Sequence, residues 1–248
     1  MTTKFFVEAI PNVPFIDRGD NVGTVISDAA REANFKFEDN DIICVSSKAV
    51  SFAEGQTLNL NTVTPSSAAI ELHKKIPRKS PEVLQVIMDE TGAKDASRLE
   101  VSENYIAGWR ANGYRLTSSG VDKLGSNQVV LLPKNPDQSA KNIGLTILEN
   151  FGVRVGVIIT DSDGRVEKAG STQVAVGLYG VPALRESESV DEKGNTKVNY
   201  ETFCDLISAT SALIMGQRGN NKPAVVVRGL HYEFDESSQI RNALSRPE

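Results

Sequence analysis

Short apolar runs recur along the chain at positions 5–10, 41–45, 114–117, 128–132, 153–160, 173–178 and 224–227. Most are rich in Val and Ile and close on Gly, Pro, Ser or Asp, which predicts strands. Between them lie stretches whose apolar residues recur at helical spacing. From about Asn21 to Ala33, the residues Val25, Ile26, Ala29 and Ala33 share one face. From about Tyr200 to Met215, Phe203, Leu206, Ile207, Ser211 and Ile214 do the same. Thr64-Pro65 and Ser80-Pro81 each place a hydroxyl at an N-cap and proline at the first helical position. Asp137 is expected to open a further helix, with Ile143, Ile147 and Leu148 at apolar spacing.

Strands and helices do not alternate steadily. The pattern therefore predicts an α+β fold of mixed sheets and packed helices, not a doubly wound parallel sheet. The polar stretch 185–197 reads as a long exposed loop or hairpin.

Composition narrows the class. The chain has 248 residues, enough for one large domain or two interlocked smaller ones. With 40% hydrophobic and 24% charged residues it has the makeup of a globular protein. Net charge is −5, and the basic residues gather no further than Lys74-Lys75 and Arg78-Lys79, which speaks against nucleic acid or an anionic membrane as partner. Cys44 and Cys204 each sit in an apolar run and lack metal-site spacing, so both are expected to be buried and reduced. The start of the chain turns acidic at Glu8, and no apolar stretch is long enough to span a bilayer. A cytoplasmic protein is expected.

The strongest candidate for chemistry is Val155-Gly156-Val157-Ile158-Ile159-Thr160-Asp161-Ser162-Asp163-Gly164-Arg165. A buried strand ending in a carboxylate holds an acid rigidly at the mouth of a site. Two carboxylates and a hydroxyl are hard oxygen ligands suited to Mg²⁺ or Mn²⁺. Asp and Gly after a strand are also ordinary turn residues. An EF-hand loop counted from Asp161 fails, because Gly164 falls at the fourth position and Thr172 at the twelfth. The D-x-D-G after an apolar strand also resembles the nucleophile motif of haloacid-dehalogenase-type phosphatases, with Asp161 attacking phosphorus and Asp163 as acid/base. Arg165 is unlike that motif, and no downstream acidic pair is evident.

Three further segments carry weaker signals. Asp122 follows Ser118-Ser119-Gly120-Val121 and matters only if folding brings it to Asp161. Met215, Gly216, Gln217, Arg218, Gly219, Asn220, Asn221 and Lys222 join a helix to a strand, with glycines for close approach and cations for phosphate. That loop follows a helix instead of opening one, so it is not a Walker loop. Ser46-Ser47-Lys48 through Gly55 reads as a polar loop after a strand, whose hydroxyls and Lys48 could touch a nucleotide. His73 and His231 show no ligand spacing.

In this order and spacing, these segments resemble the coenzyme F420-0:γ-glutamyl ligases. The similarity also takes in Val13-Pro14-Phe15-Ile16 with Gly19-Asp20, Ala53-Glu54-Gly55, Leu132-Pro133, Pro136-Asp137 and Val226-Val227-Arg228-Gly229-Leu230, so it covers nearly the whole chain. The resemblance implies one domain over residues 1–248 that forms an intertwined homodimer. Roughly 1–100 with 200–248 would make one lobe and 101–199 the other. It implies that GTP, or ATP, phosphorylates an acceptor carboxylate and that the amine of glutamate then attacks the acyl phosphate. Coenzyme F420-0 or a folate would be the acceptor. By position, Asp122 and Asp161 would bind one Mg²⁺ or Mn²⁺, and Ser162 with Gln217 a second. Val13, Pro14, Phe15, Ile16, Ser47, Lys48, Asn127 and the 215–222 loop would hold the nucleotide. Asp161 and Lys48 would serve the chemistry. The charge of Arg165, so near Asp161 in sequence, makes it a candidate for steadying the transferred phosphoryl group.

The chain also departs from that family. Phe52 stands where lysine is common, and a Ser-Asn pair expected soon after the aspartate comes late, as Ser126-Asn127. Segment 185–197 lacks an Asp-aromatic-Gly-Arg pattern, so the acceptor could differ. A nucleotide-binding homologue without catalysis is the alternative reading.

Overall fold

The computed structural model describes residues 4–92, 96–103, 105–111, 113–217 and 222–245. Its strands and helices are, in chain order, β1 (Phe6–Ala9), α1 (Val22–Glu32), β2 (Ile42–Ser46), α2 (Ser47–Ala53), β3 (Thr57–Asn59), α3 (Ser67–Lys75), α4 (Pro81–Thr91), β4 (Leu99–Ser102) and β5 (Tyr105–Trp109). There follow β6 (Arg115–Thr117), β7 (Asp122–Leu124), β8 (Gln128–Val130), α5 (Pro136–Phe151), β9 (Gly156–Gly164), β10 (Ser171–Tyr179), β11 (Arg185–Val190), β12 (Thr196–Glu201), α6 (Phe203–Met215) and β13 (Ala224–Arg228). The fold is α+β with mixed sheets, as expected.

The central sheet has the order β1-β13-β2-β9-β10. Only β2 and β9 run parallel; every other neighbouring pair is antiparallel. Its middle strands are buried on both faces, which is why Ile42-Ile43-Cys44-Val45 and Val225-Val226-Val227 read as unbroken apolar runs. Helix α6 packs on one face, where Ser211 reaches Cys44. Helix α5 packs on the other, with α1 laid against it. Cys44 and Cys204 are both buried and free, and burial pushes each thiol up to about 12.

A second, smaller core gathers Leu60, Leu72, Ile76, Leu84, Ile87, Ile106 and Val129. It lies beside two three-stranded sheets, β3-β8-β7 and β4-β5-β6. The two cores do not divide as the expected lobes do. Val157, Ile158 and Val176 pack in the same core as Ile42 and Val225, because β9 and β10 complete the central sheet.

Caps explain most helix boundaries. Asn21 caps α1 by accepting from the Thr24 amide at 3.0 Å, and Ser80 with Pro81 starts α4 as expected. Helix α5 starts one residue before Asp137, with Asn135 as N-cap and Pro136 next. Helix α3 starts later than Thr64-Pro65 suggests. Ser66 is its N-cap, since its hydroxyl accepts from Ala69 while its own amide is taken by Gln85. Helix α6 starts at Phe203, not Tyr200, because 196–201 is claimed by the β11–β12 hairpin. Leu206 was expected on its buried face but is 47% exposed; the face that meets the sheet is Phe203, Cys204, Ile207, Ser208 and Ser211. The stretch 47–53, read as a polar loop, is helix α2: Ser47, Val50, Ser51 and Ala53 turn inward at helical spacing.

One buried ion pair ties the sheet to the preceding loop. Arg228 at the end of β13 grips Asp41, which is 1% exposed, through two bonds of 2.7 Å. The Glu38 amide donates to the same carboxylate. Breaking such a pair would strand a buried charge, which gives Arg228 a structural role.

Candidate functional site

One end of the central sheet assembles the site. Strands β1 and β2 and the parallel part of β9 all finish there, and β13 begins there: Ala9 pairs with Val225, Ala224 with Val45, and Ser46 with Thr160. Whatever follows β1, follows β2, continues β9 or precedes β13 must therefore meet at that edge. Those are the segments 13–16, 46–52 and 160–162, with 215–217 and 222–223. They line one cavity of about 570 Å³, of a size suited to a small-molecule ligand.

Asp161 is held where β9 outruns β2. The strand does not end there, as the sequence suggested; it continues to Gly164, paired with β10 alone, and Asp161 lies opposite Val174. The hydroxyl of Ser47, the first residue of α2, donates to Asp161 Oδ1 at 2.6 Å. The carboxyl of Asp161 is pushed up to about 7. Burial is the largest cause, and the charge of Asp122 the next; the Ser47 bond opposes both. An acid held this way favours a proton or a cation over standing bare.

Asp122 comes from the smaller sheet, at the start of β7, and lines the same cavity. It follows a turn in which Ser118, Ser119 and Gly120 all have left-handed backbone, with φ of 54°, 53° and 72°. For the two serines that conformation costs roughly 1–2 kcal/mol each. The turn is fixed from outside: Arg110 donates to the Ser119 carbonyl at 2.7 Å and is itself paired with Glu90. Strain kept beside an acid that faces a second acid marks a position the fold holds in place. Lys79 contributes charge from the smaller lobe. Burial lowers its pKa, as does the neighbouring Arg78, while Asp122 raises it.

The remaining wall comes from residues named by the sequence and from others it did not single out. Val13, Pro14, Phe15, Ile16, Ser47, Lys48, Ser162, Met215, Gly216, Gln217 and Lys222 all line the cavity. Gly216 ends α6 with φ 68° and ψ −177°, a conformation open in practice to glycine alone, and so turns Gln217 into the wall. Arg218, Gly219, Asn220 and Asn221 lie outside the described residues. Among residues not foreseen are Gln173 and Leu124. Gln173 is buried, accepts from Thr160 at 2.7 Å and sits opposite Ser162 on β10. A polar residue at the head of an apolar run was its only trace in the sequence.

Several expected residues are placed elsewhere. Arg165 lies past the end of β9, exposed and beside Glu167 at 3.9 Å, and it is not in the cavity wall. Sequence nearness to Asp161 misled here, because four residues of extended strand carry a side chain about 13 Å away. Asn127 sits in the β7–β8 turn, where its carbonyl accepts from the Leu60 amide, and it too is outside the wall. Asp163 is drawn off by Thr117, whose amide and hydroxyl both donate to it at 2.8 and 2.9 Å. A phosphatase pairing of Asp161 with Asp163 in one site finds no support in that geometry. His73 is tied to the Lys79 carbonyl and His231 is exposed.

Among the described residues, no three His, Cys, Asp or Glu side chains gather as a metal cage. The wall instead offers two carboxylates, Asp122 and Asp161, with the Ser162 hydroxyl and the Gln217 amide. Mg²⁺ is commonly held by one or two carboxylates, with water and substrate phosphate supplying the rest, so the donor set fits such an ion. No helix among the described residues is long and apolar enough to cross a membrane.

Comparison with known proteins bears on this arrangement. A family model described as F420-0:gamma-glutamyl ligase matches residues 11–229. Coenzyme F420:L-glutamate ligase of Methanococcus maripaludis is 36% identical over 209 residues, covering 83% of this chain and 82% of that protein. The protein of the same name from Methanocaldococcus jannaschii is 36% identical over 205 residues, 82% of this chain and 80% of its own. That from Archaeoglobus fulgidus is 34% identical over 258 aligned positions, 97% of this chain and 98% of its own.

Proposed function

Because the chain belongs to the F420-0:gamma-glutamyl ligase family, we infer that it joins the amine of L-glutamate to a carboxylate of a coenzyme F420 precursor at the expense of a nucleoside triphosphate. The observation that carries this reading is the meeting of Asp122, Asp161, Ser47 and Lys48 on the wall of one cavity large enough for a nucleotide. A carboxylate has no leaving group. In the proposed reaction an acceptor carboxylate oxygen attacks the terminal phosphorus, and the nucleoside diphosphate departs. The glutamate nitrogen then attacks the acyl carbon, inorganic phosphate leaves, and the amine gives up a proton.

A divalent cation held by Asp122 and Asp161, with Ser162 and Gln217 as further donors, would offset the negative charge crowded by phosphates and carboxylates. The chain's own residues do the rest. Ser47 keeps Asp161 in one orientation by its 2.6 Å hydrogen bond. Lys48, exposed on the wall beside it, supplies a mobile positive charge for phosphate oxygens. Gln217 and Lys222 add an amide and a further positive charge to the wall.

We also propose that the active form is a homodimer. Among the described residues, hairpin β11–β12 forms a sheet with no third strand. Its register places Val190, Val198 and Tyr200 on one face, and they are 71%, 45% and 64% exposed. A two-stranded hairpin is marginal alone, so an amphipathic one standing out from the body is suited to lie against a second copy.

The test is mass spectrometry of reactions with GTP or ATP, Mg²⁺ or Mn²⁺, and glutamate. Separate tubes hold the F420 precursor, a reduced folate, or no acceptor. A gain of one glutamyl unit with the F420 precursor is expected, and gain with the folate alone would reassign the acceptor. Asp161→Asn should lower ligation by 100-fold or more, roughly the loss seen when a group that stabilises transition-state charge is removed, while circular dichroism stays unchanged. Full ligation by that variant would refute the assigned role of Asp161. Nucleotide binding with no glutamyl gain in any tube would favour a binding protein.

A further inference from the structure

The cavity wall also carries a pair of aromatic rings. Phe15 and Phe52 meet edge to face, with centroids 5.5 Å apart and planes at 69°, and both line the cavity wall. Phe15 is 76% exposed, although Val13 and Ile16 on either side are buried. Its segment is thus anchored, and its ring is presented to the cavity with a second ring as its backing. A large apolar ring shown to a cavity and braced in place is a surface for another flat ring.

The order of residues along α2 indicates which ring. Ser47 touches Asp161, Lys48 comes next, and Phe52 lies five residues beyond Ser47, about 7.5 Å further along the axis. Lys48 and Phe52, four apart, share a helix face. A nucleoside triphosphate whose phosphates lie at the Asp161, Ser47 and Lys48 end therefore extends its base toward Phe15 and Phe52. The geometry points to the Phe15–Phe52 pair as a stacking seat for the purine base of the nucleotide, and this rests on the ligase reading above. Stacking is governed by the size of the flat ring, since every base has a π-face. The seat therefore separates purines from pyrimidines more sharply than guanine from adenine.

Calorimetric titration of the full chain with Mn²⁺ and GTP, ATP, UTP or inorganic tripolyphosphate tests it. GTP and ATP should bind within about fivefold of each other, and UTP about tenfold more weakly. Phe15→Ala should weaken both purine nucleotides by about tenfold, within the range that loss of a base–aromatic stack removes, and leave tripolyphosphate unchanged. Phe15→Trp should restore purine binding. Unaltered purine affinity in Phe15→Ala overturns the seat, as does an equal loss for tripolyphosphate, which would signal a general distortion. So does a loss confined to binding of the F420 precursor, whose ring is also flat. Wild-type protein that binds no triphosphate would overturn the ligase reading along with the seat.

Discussion

In the proposed reaction Asp161 holds the cation, and its surroundings also bear on stability. Its ordinary carboxyl value is 3.8, and in the folded protein burial first and Asp122 second push it up to about 7. The metal-free folded state thus binds a proton that the unfolded chain has already released. Stability contributed at this position is present at low pH, falls as pH climbs from about 4 to about 7, and is flat above. The melting temperature of metal-free protein should therefore drop across that interval, and Asp161→Asn should flatten the drop. Mg²⁺ or Mn²⁺ should raise the melting temperature more at pH 8 than at pH 5, because the cation takes the place of the proton. Thermal scans across pH, with and without metal, read all three. An Asp161→Asn protein that keeps the wild-type slope would place the titration elsewhere. The sequence singled out Asp161 because a carboxylate closing an apolar run is conspicuous. It could not mark Gln173, whose place in the wall exists only through the pairing of β9 with β10.

At the scale of elements, the contact of α5 with the edge strand β10 is set by glycine. A β-carbon on Gly144 would sit 2.6 Å from the Tyr179 ring, and one on Gly177 would sit 2.5 Å from the Pro136 carbonyl carbon. Gly177 also follows an irregularity in the β9–β10 ladder, after Ala175. Asp137 in the first turn of α5 accepts from the Leu178 amide at 2.7 Å and from the Ile240 amide at 3.2 Å, fastening helix, strand and C-terminal segment together. Backbone cannot retreat as a flexible side chain can. Gly177→Ala is expected to cost about 1–3 kcal/mol, read as a lower urea midpoint. Gly125→Ala at an open site makes no such contact and serves as a reference for glycine replacement at a position of positive φ. If Gly177→Ala proved as stable as wild type, the close approach would not be tight. Helix α4 was legible in full, since Ser80, Pro81 and Gly92 are all local signals. Helix α2 was not, because seven residues with two serines carry too little local preference, and packing against β2 and β9 decides the matter.

For the whole molecule the decisive feature is the uncovered face of the β11–β12 hairpin. Light scattering on the purified chain should show a dimer at micromolar concentration. Replacing Val190, Val198 and Tyr200 together by serine should shift it to monomer without lowering the helix signal, since the three side chains leave the monomer's cores untouched. A wild-type monomer at that concentration would remove the hairpin's proposed role. The division of the molecule also differs from the expected one. The resemblance implied a lobe over 101–199, yet β9 and β10 lie in the main sheet, because buried apolar strands complete whichever sheet can cover both their faces.

The sequence by itself determined the α+β class, the buried strands, most helix starts, the family, and the acids Asp122 and Asp161 as candidates. These are local or ordered signals: apolar runs, caps, prolines, and motifs whose spacing survives along the chain. Only the tertiary structure decided which candidates share a cavity. It brought Asp122 across from the smaller sheet and set Ser47 on Asp161. It left Arg165 and Asn127 outside the wall, and it turned Asp163 toward Thr117. The physical reason is that a site at the end of a mixed sheet is built from strand termini far apart in sequence. Their convergence is fixed by pairing register, which no short stretch of chain encodes.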